Sequence, residues 1–134
     1  MGRDSIQKDS LQATVIIWFQ PGCGHCQYQL NVIDKNIQRF GNIRLFLLSG
    51  DRELLNKKHR IFWPNLVGAG NVFFGIVDET KFKNEFGPLM TPSLLVFNRF
   101  GHLENKIQGE VRLETILKII KNLKVPEHIV SGHN

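Results

Sequence analysis

The sequence predicts an α/β domain in which helices cover both faces of a central mixed β-sheet. Three observations carry the prediction: the length, a strand–helix–strand unit near the N-terminus, and a β-hairpin near the C-terminus. A chain of 134 residues has the size of one domain and buries enough surface to fold without metal or disulfide staples. We expect a polar extension over residues 1–12, the domain over residues 13–124, and a tail over residues 125–134.

The strand–helix–strand unit comes first. Residues 13–19 and 43–48 are nearly continuous apolar runs, which is typical of strands that are buried on both faces. Between them, apolar side chains recur at helical spacing and form one stripe, namely Cys26, Leu30, Ile33, Ile37 and Phe40. Gly41 follows as the predicted C-cap, so one helix is expected to run to about residue 40.

The second half of the chain alternates helices and strands. A helix is predicted from Asp51 to about Ile61, with Trp63 and Pro64 ending it. Residues 71–77 are a predicted edge strand, and Asp78 is the predicted cap of the next helix. Residues 93–98 and 103–108 flank a turn and are expected to pair as an antiparallel hairpin. An amphipathic stripe over residues 113–123 predicts the last helix.

Composition and charge exclude several classes of protein. No apolar run approaches the 18 residues of a membrane-spanning helix. The net charge is +5, but the only dense basic cluster is Lys57, Lys58, His59 and Arg60, and no nucleic-acid-binding motif accompanies it. We interpret this cluster as a solvated helix face and expect no nucleic-acid partner. The excess positive charge favours acidic partners and indicates nothing more specific.

The first twelve residues are polar and lack the apolar segment of a signal peptide. Two interpretations stay open at this point. Either the protein is cytoplasmic, or a leader has been removed and the protein works in the periplasm or cell envelope.

The two cysteines, Cys23 and Cys26, are the candidate catalytic residues. They are the only cysteines in the chain and stand two residues apart at the predicted start of the first helix. At that place the unpaired N–H groups and the helix dipole stabilise a thiolate on Cys23. Cys26 belongs to the buried stripe, so its sulfur is expected to be shielded. An exposed nucleophile with an internal resolving thiol is what disulfide exchange requires.

The alternative for this spacing is half of a zinc site. Zinc needs four ligands, and the chain offers no second cysteine pair and no histidine pair at helical spacing. We therefore predict neither a metal nor a cofactor. His25, between the cysteines, has two interpretations: it tunes the redox chemistry by charge or hydrogen bonding, or it is a solvent-facing helix residue.

Thr91 and Pro92 form the second predicted element of the site. A proline directly before an apolar strand is often only the first residue of that strand. Here we favour a cis bond, because cis prolines mark tight and constrained turns. The Thr91 backbone would then face the cysteines and offer hydrogen bonds to an extended substrate chain.

These motifs together resemble the thioredoxin superfamily over about residues 13–123. The tetrapeptide Cys-Gly-His-Cys is identical to the active-site motif of protein disulfide isomerase domains. The segment at about residues 71–86 and the hairpin are more similar to bacterial thiol-disulfide oxidoreductases of the TlpA/ResA type. The resemblance implies a thioredoxin-like fold and a redox-active dithiol.

The resemblance also implies roles for the residues beside the dithiol. Gly24 and His25 would tune the redox chemistry, and Gly22, Thr91 and Pro92 would contact the substrate. The substrates would be protein disulfides or dithiols, and an external redox partner would be needed. We expect a monomer.

Two departures from the thioredoxin pattern stand out. Ile17 occupies the position of the buried aspartate that accepts a proton from the resolving cysteine. Gly22 stands where thioredoxins carry tryptophan before the first cysteine. Two other functions also stay open. One is a client-binding module without turnover, and the other is a metallochaperone that binds Cu(I) through Cys23, His25 and Cys26.

Overall fold

The computed structural model describes residues 12–123. The predicted C-terminal tail, and all but residue 12 of the predicted N-terminal extension, lie outside the described residues. A five-stranded sheet forms the centre of the fold, in the order β3-β2-β1-β4-β5. Its strands are β1 (Ala13–Trp18), β2 (Ile43–Ser49), β3 (Val72–Ile76), β4 (Ser93–Phe97) and β5 (Leu103–Gln108). Among the described residues no helix is both long and apolar enough to cross a membrane.

Strand pairing confirms the predicted mixed sheet. β1 lies at the centre, parallel to β2 and antiparallel to β4, and β3 adds to β2 in parallel as an edge strand. β4 and β5 pair as the predicted antiparallel hairpin. Because the cysteine motif directly follows β1, it emerges at the C-terminal end of the central strand.

Helices cover both faces of the sheet. They are α1 (Gly24–Lys35), α2 (His59–Phe62), α3 (Pro64–Gly68), α4 (Glu79–Phe86) and α5 (Leu113–Lys121). Side chains alternate along β1, so that Val15 and Ile17 pack in one core with residues of α1, α3 and α5. Trp18 faces the other way and stacks on Phe82 of α4, with ring centroids 4.3 Å apart.

The prediction of one helix to about residue 40 is wrong in its second part. α1 ends at Lys35, and Ile37–Phe40 form a separate 3₁₀ helix. At the break, the Asn36 side chain donates to the Val32 carbonyl oxygen (2.8 Å), and its backbone N–H donates to Ile33 instead of one residue earlier. The tighter turn still buries Phe40, which explains why the apolar stripe looked continuous.

The predicted helix over residues 51–61 is also wrong. A 3₁₀ helix, Arg52–Asn56, ends where Lys57 adopts a left-handed conformation with φ 63°. The short helix α2 follows, and Pro64 begins α3 rather than ending a helix, because proline fits the first helical position. Asp34 of α1 accepts hydrogen bonds from the Leu66 backbone N–H (2.9 Å) and the Asn65 side chain, and so caps α3 from outside.

Candidate dithiol active site

Cys23 caps α1 at its N-terminus. Its backbone is extended (φ −86°, ψ 124°), and its sulfur accepts a hydrogen bond from the Cys26 backbone N–H at 3.3 Å. Both cysteines are free thiols, Cys23 partly exposed and Cys26 buried. A sulfur that replaces the usual oxygen of an N-cap residue lies among the unpaired N–H groups of the first turn, where negative charge is stabilised.

The surroundings of Cys23 favour its thiolate. Partial burial raises the pKa of the thiol, but hydrogen bonds from the Cys26 side chain and backbone, the Thr91 side chain and the His25 backbone together bring it below the ordinary value. The hydrogen bonds outweigh burial because they act directly on the charged sulfur. Cys23 is therefore the more nucleophilic of the two sulfurs at neutral pH.

Cys26 has the opposite character. Its side chain is fully buried in the core that also contains Ile17, Leu30 and Ile33. Burial, a hydrogen bond with Cys23 and the charge of Cys23 raise the pKa of Cys26 to about 12. Hydrogen bonding with the Gln20 backbone and the Thr91 side chain opposes this increase only in part. Ile17 brings no carboxylate near this sulfur.

The Thr91–Pro92 peptide bond is cis and lies across from the dithiol. The Thr91 carbonyl oxygen is 3.7 Å from the Cys23 sulfur. The Pro92 carbonyl oxygen accepts a hydrogen bond from the Gly109 N–H (2.7 Å), and the Met90 N–H donates to the Gln108 side chain (2.9 Å). The turn before β4 is thus fastened to the end of β5, with Thr91 next to both cysteines.

His25 contacts a residue that sequence reasoning missed. Its imidazole Nδ1 is hydrogen-bonded to the Glu110 carboxylate, and the side chain is 79% exposed. This hydrogen bond and the charge of Glu110 raise the pKa of His25, and the charge of Cys23 adds to the effect. The imidazole thus makes its contact with Glu110, and the contribution of His25 to the Cys23 sulfur comes from its backbone N–H.

Glu110 owes its position to Gln29, a buried residue of α1. The Gln29 amide donates to the Val111 carbonyl oxygen (2.9 Å) and accepts from the Val111 N–H (2.7 Å). This pair of hydrogen bonds joins the β5–α5 loop to α1, one residue after Glu110. The only signal in the sequence was a glutamine among the buried positions of α1. That signal does not indicate that its hydrogen-bond partner, Val111, lies 82 residues away.

Gly22 and Gly24 flank Cys23 and are both exposed. A Cβ atom at either position would meet no other heavy atom within 4 Å. The surface around Cys23 is therefore open, and Gly22 places no side chain where thioredoxins carry tryptophan before the first cysteine.

Within residues 12–123 no group of three or more histidine, cysteine, aspartate or glutamate side chains lies close enough together to hold a metal ion. The two cysteines and the His25 ring do not form such a group, because the ring is turned toward Glu110. A Cu(I) site made from these three residues would need the histidine to leave its carboxylate partner.

Comparison with known proteins gives similarity in structure only. No family model matches the chain, and no curated protein matches its sequence. A solved thiol-disulfide isomerase from Corynebacterium glutamicum superposes with a TM-score of 0.64 at 16% identity, covering 87% of this chain and 84% of that one. The exposed lipoprotein thioredoxin of Streptococcus pneumoniae gives 0.67 at 15% identity, with 87% and 90% covered.

A secreted disulfide oxidoreductase of Mycobacterium tuberculosis gives a TM-score of 0.67 at 11% identity, covering 86% of each chain. Sequence identities this low support a similarity of fold only. The activity has to be argued from the geometry and chemistry of the site. The order of elements, the sheet topology and these superpositions all indicate the same fold. The chain has a thioredoxin-like fold, with a pair of cysteines at the start of its first helix.

Proposed function

We propose that this protein is a thiol-disulfide oxidoreductase that reduces or exchanges disulfide bonds in other proteins. The observation that carries the proposal is the contrast between the two thiols. Cys23 is partly exposed with a lowered pKa, and Cys26 is buried three residues later with a raised pKa. One thiol is prepared to attack, and the other is protected until it is needed.

In the first step the Cys23 thiolate attacks one sulfur of a substrate disulfide. A bond forms between Cys23 and that sulfur, the substrate S–S bond breaks, and the other substrate sulfur leaves as a thiolate. The open surface at Gly22 and Gly24 lets a polypeptide approach. The Thr91 backbone beside Cys23 suits an extended substrate strand, which it would bind by hydrogen bonds.

In the second step Cys26 loses its proton and attacks Cys23. The Cys23–Cys26 disulfide forms, and the second substrate sulfur leaves as a thiolate, so the substrate has gained the two electrons that the protein has lost. Regeneration of the dithiol needs an external redox partner. His25 supports the Cys23 thiolate through its backbone N–H and so stabilises the reduced form, while its imidazole is paired with Glu110.

A compartment outside the cytoplasm is part of the proposal. It is supported by the descriptions of similar structures as a secreted protein and an exposed lipoprotein. In such oxidising surroundings a dithiol of this kind has disulfide-containing clients to act on. Detection of the protein by fractionation of its native cells, beside a cytoplasmic marker, tests this point.

Trapping of intermediates tests the reaction. In Cys26→Ser the second step is blocked, so mixed disulfides with client proteins accumulate on Cys23 and are visible on non-reducing gels. In Cys23→Ser the remaining thiol is buried and protonated, so few such complexes form. Equal trapping by both variants would contradict the assigned roles. Failure of the unmodified protein to reduce insulin would favour a client-binding module without turnover.

A further inference from the structure

A pocket lies next to Cys23, since the adjacent Gly22 belongs to its lining. It has a volume of about 300 Å³. Pro21, Phe62 and Trp63 also line it, and the two aromatic residues are called the aromatic wall below. Because Gly22 immediately precedes Cys23, a polypeptide bound at the sulfur reaches this pocket within one or two residues, at about 3.3 Å per residue.

The pocket is held in shape by buried contacts. Trp63 is 2% exposed, and its indole N–H donates to the Asn31 side chain at 2.7 Å. Asp34 of α1 caps α3, which directly follows Trp63. The segment that carries the aromatic wall is therefore fixed to α1, the same helix that positions the cysteines. Such a preformed wall is suited to binding a side chain without reorganisation.

The wall presents apolar surface to solvent. Phe62, which lines the pocket, is 57% exposed although it packs edge-on against Trp63, and the preceding Ile61, which lies outside the lining, is 78% exposed. Large apolar side chains that are exposed together beside a candidate active site mark a binding surface more often than chance exposure does. The pocket therefore suits an apolar side chain.

Basic residues lie in and next to the lining of the pocket. Lys58 lines the pocket, and Lys57 and Arg60 are its near neighbours in sequence. All three are exposed, and none of them forms an ion pair within residues 12–123. The acidic residue that lines the pocket, Glu53, is hydrogen-bonded to the Asn56 side chain at 2.6 Å. The pKa of His59 is lowered by burial and further by the charges of Arg60 and Lys57, which agrees with a positive local field.

We propose that this pocket selects client polypeptides, binding an apolar side chain next to the client cysteine while Lys57, Lys58 and Arg60 attract acidic residues that flank it. The proposal rests on the disulfide exchange proposed above. Lys57, Lys58 and Arg60 make this surface complementary in charge to an acidic client segment. The aromatic wall makes it complementary in shape to an apolar side chain. The occupant is thus an acidic segment of a client protein with an apolar residue beside its cysteine.

The probe is a set of three synthetic peptides, each joined through its single cysteine to 2-mercaptoethanol. Their sequences are Asp-Asp-Phe-Cys-Phe-Asp-Asp, the same peptide with alanine for phenylalanine, and the same peptide with lysine for aspartate. The reduced protein transfers two electrons to the peptide disulfide, releases both thiols and ends with Cys23 and Cys26 joined. The second-order rate constant is measured for each peptide, and for the uncharged disulfide of 2-mercaptoethanol alone.

We expect the acidic phenylalanine peptide to react about tenfold faster than the lysine peptide at low ionic strength. The difference should shrink near 1 M salt, where the Debye length is about 3 Å. Combined substitution of Lys57, Lys58 and Arg60 by Gln should abolish this charge preference. The matched control replaces Lys81, Lys118 and Lys121 by Gln, which removes the same charge from residues outside the pocket and should preserve the preference.

Phe62→Ala should abolish an advantage of about tenfold for phenylalanine over alanine in the acidic peptide. Ile61→Ala is its control, because Ile61 is exposed but does not line the pocket. Equal rates for all three peptides, with normal reduction of the small disulfide, would overturn the pocket proposal alone. No reduction of the small disulfide would overturn the proposed function, and the pocket proposal with it.

Discussion

The protonation of Cys26 is the most direct test of the site. In the reduced protein, burial and the neighbouring Cys23 raise its pKa to about 12. At pH 7 that value leaves about one molecule in 100,000 as thiolate, whereas a free thiol with a pKa of about 8.5 is about 3% thiolate. The native fold therefore lowers the thiolate fraction of Cys26 about 3,000-fold.

The perturbation is Cys23→Ser, which leaves Cys26 as the single thiol. This change removes the charge of Cys23 and alters its hydrogen bond, but it retains burial, the largest cause of the raised pKa. Alkylation by iodoacetamide is followed by mass spectrometry from pH 6 to pH 11. Burial slows alkylation at every pH, so the absolute rate does not report the pKa. The pH at which the rate shows its inflection does report it. We expect this inflection well above the free-thiol value of about 8.5.

Cys26→Ser is the matched variant, with Cys23 as the single thiol. Its inflection should lie below the free-thiol value, because the first turn of α1 still donates to the sulfur. In urea both variants should titrate as free thiols, since the fold causes both shifts. The reasoning would be refuted if native Cys23→Ser titrated at or below about 8.5.

Three further predictions concern charge and pH. Glu110→Gln should lower the midpoint of the His25 titration seen by NMR, because the carboxylate raises the pKa of His25, whereas Glu114→Gln should leave it unchanged. His25→Pro removes both the imidazole and the backbone N–H that helps the Cys23 thiolate. It should lower the reduction potential by tens of millivolts, from near −180 mV toward about −270 mV, and by more than His25→Ala, which keeps the N–H. Equal potentials for the two variants would exclude the N–H as a cause. Because the folded pKa of Cys26, about 12, lies above the unfolded value of about 8.5, the reduced protein should lose about 2 kcal/mol of unfolding free energy by pH 10. The loss should be absent from Cys26→Ala in urea titrations, and a loss common to both proteins would count against it.

Much of the fold could be predicted because its signals are local. The apolar run at β1, the stripe through Cys26 and Leu30, and the Asp78 cap each act over a few residues. Asp78 accepts a hydrogen bond from the Lys81 N–H at 3.0 Å, as an N-cap residue does. The same local logic put Cys23 at a helix start and Cys26 in the core.

The parts that could not be predicted depend on distant contacts. Helix α3 is capped by Asp34, 32 residues before Leu66, and its own sequence shows only a proline, which can mark either the start or the end of a helix. The charge partner of His25 is 85 residues away, in a loop that Gln29 holds in place. The sequence around Glu110 does not reveal this partner, because the contact exists only once the loop after β5 is hydrogen-bonded to α1 through Gln29.

The electrostatic coupling of the two cysteines also orders the steps of the proposed reaction. Part of the raised pKa of Cys26 comes from its hydrogen bond with Cys23 and from the charge of that thiolate. When Cys23 enters a mixed disulfide its charge is lost, so this part of the barrier to deprotonation of Cys26 disappears. Burial beside Ile17 remains, and with no carboxylate at that position resolution should accelerate as pH rises. Cys26 is therefore protonated in the free reduced protein, and it should become easier to ionise once Cys23 forms a mixed disulfide with a client. This order protects the resolving sulfur from reacting first.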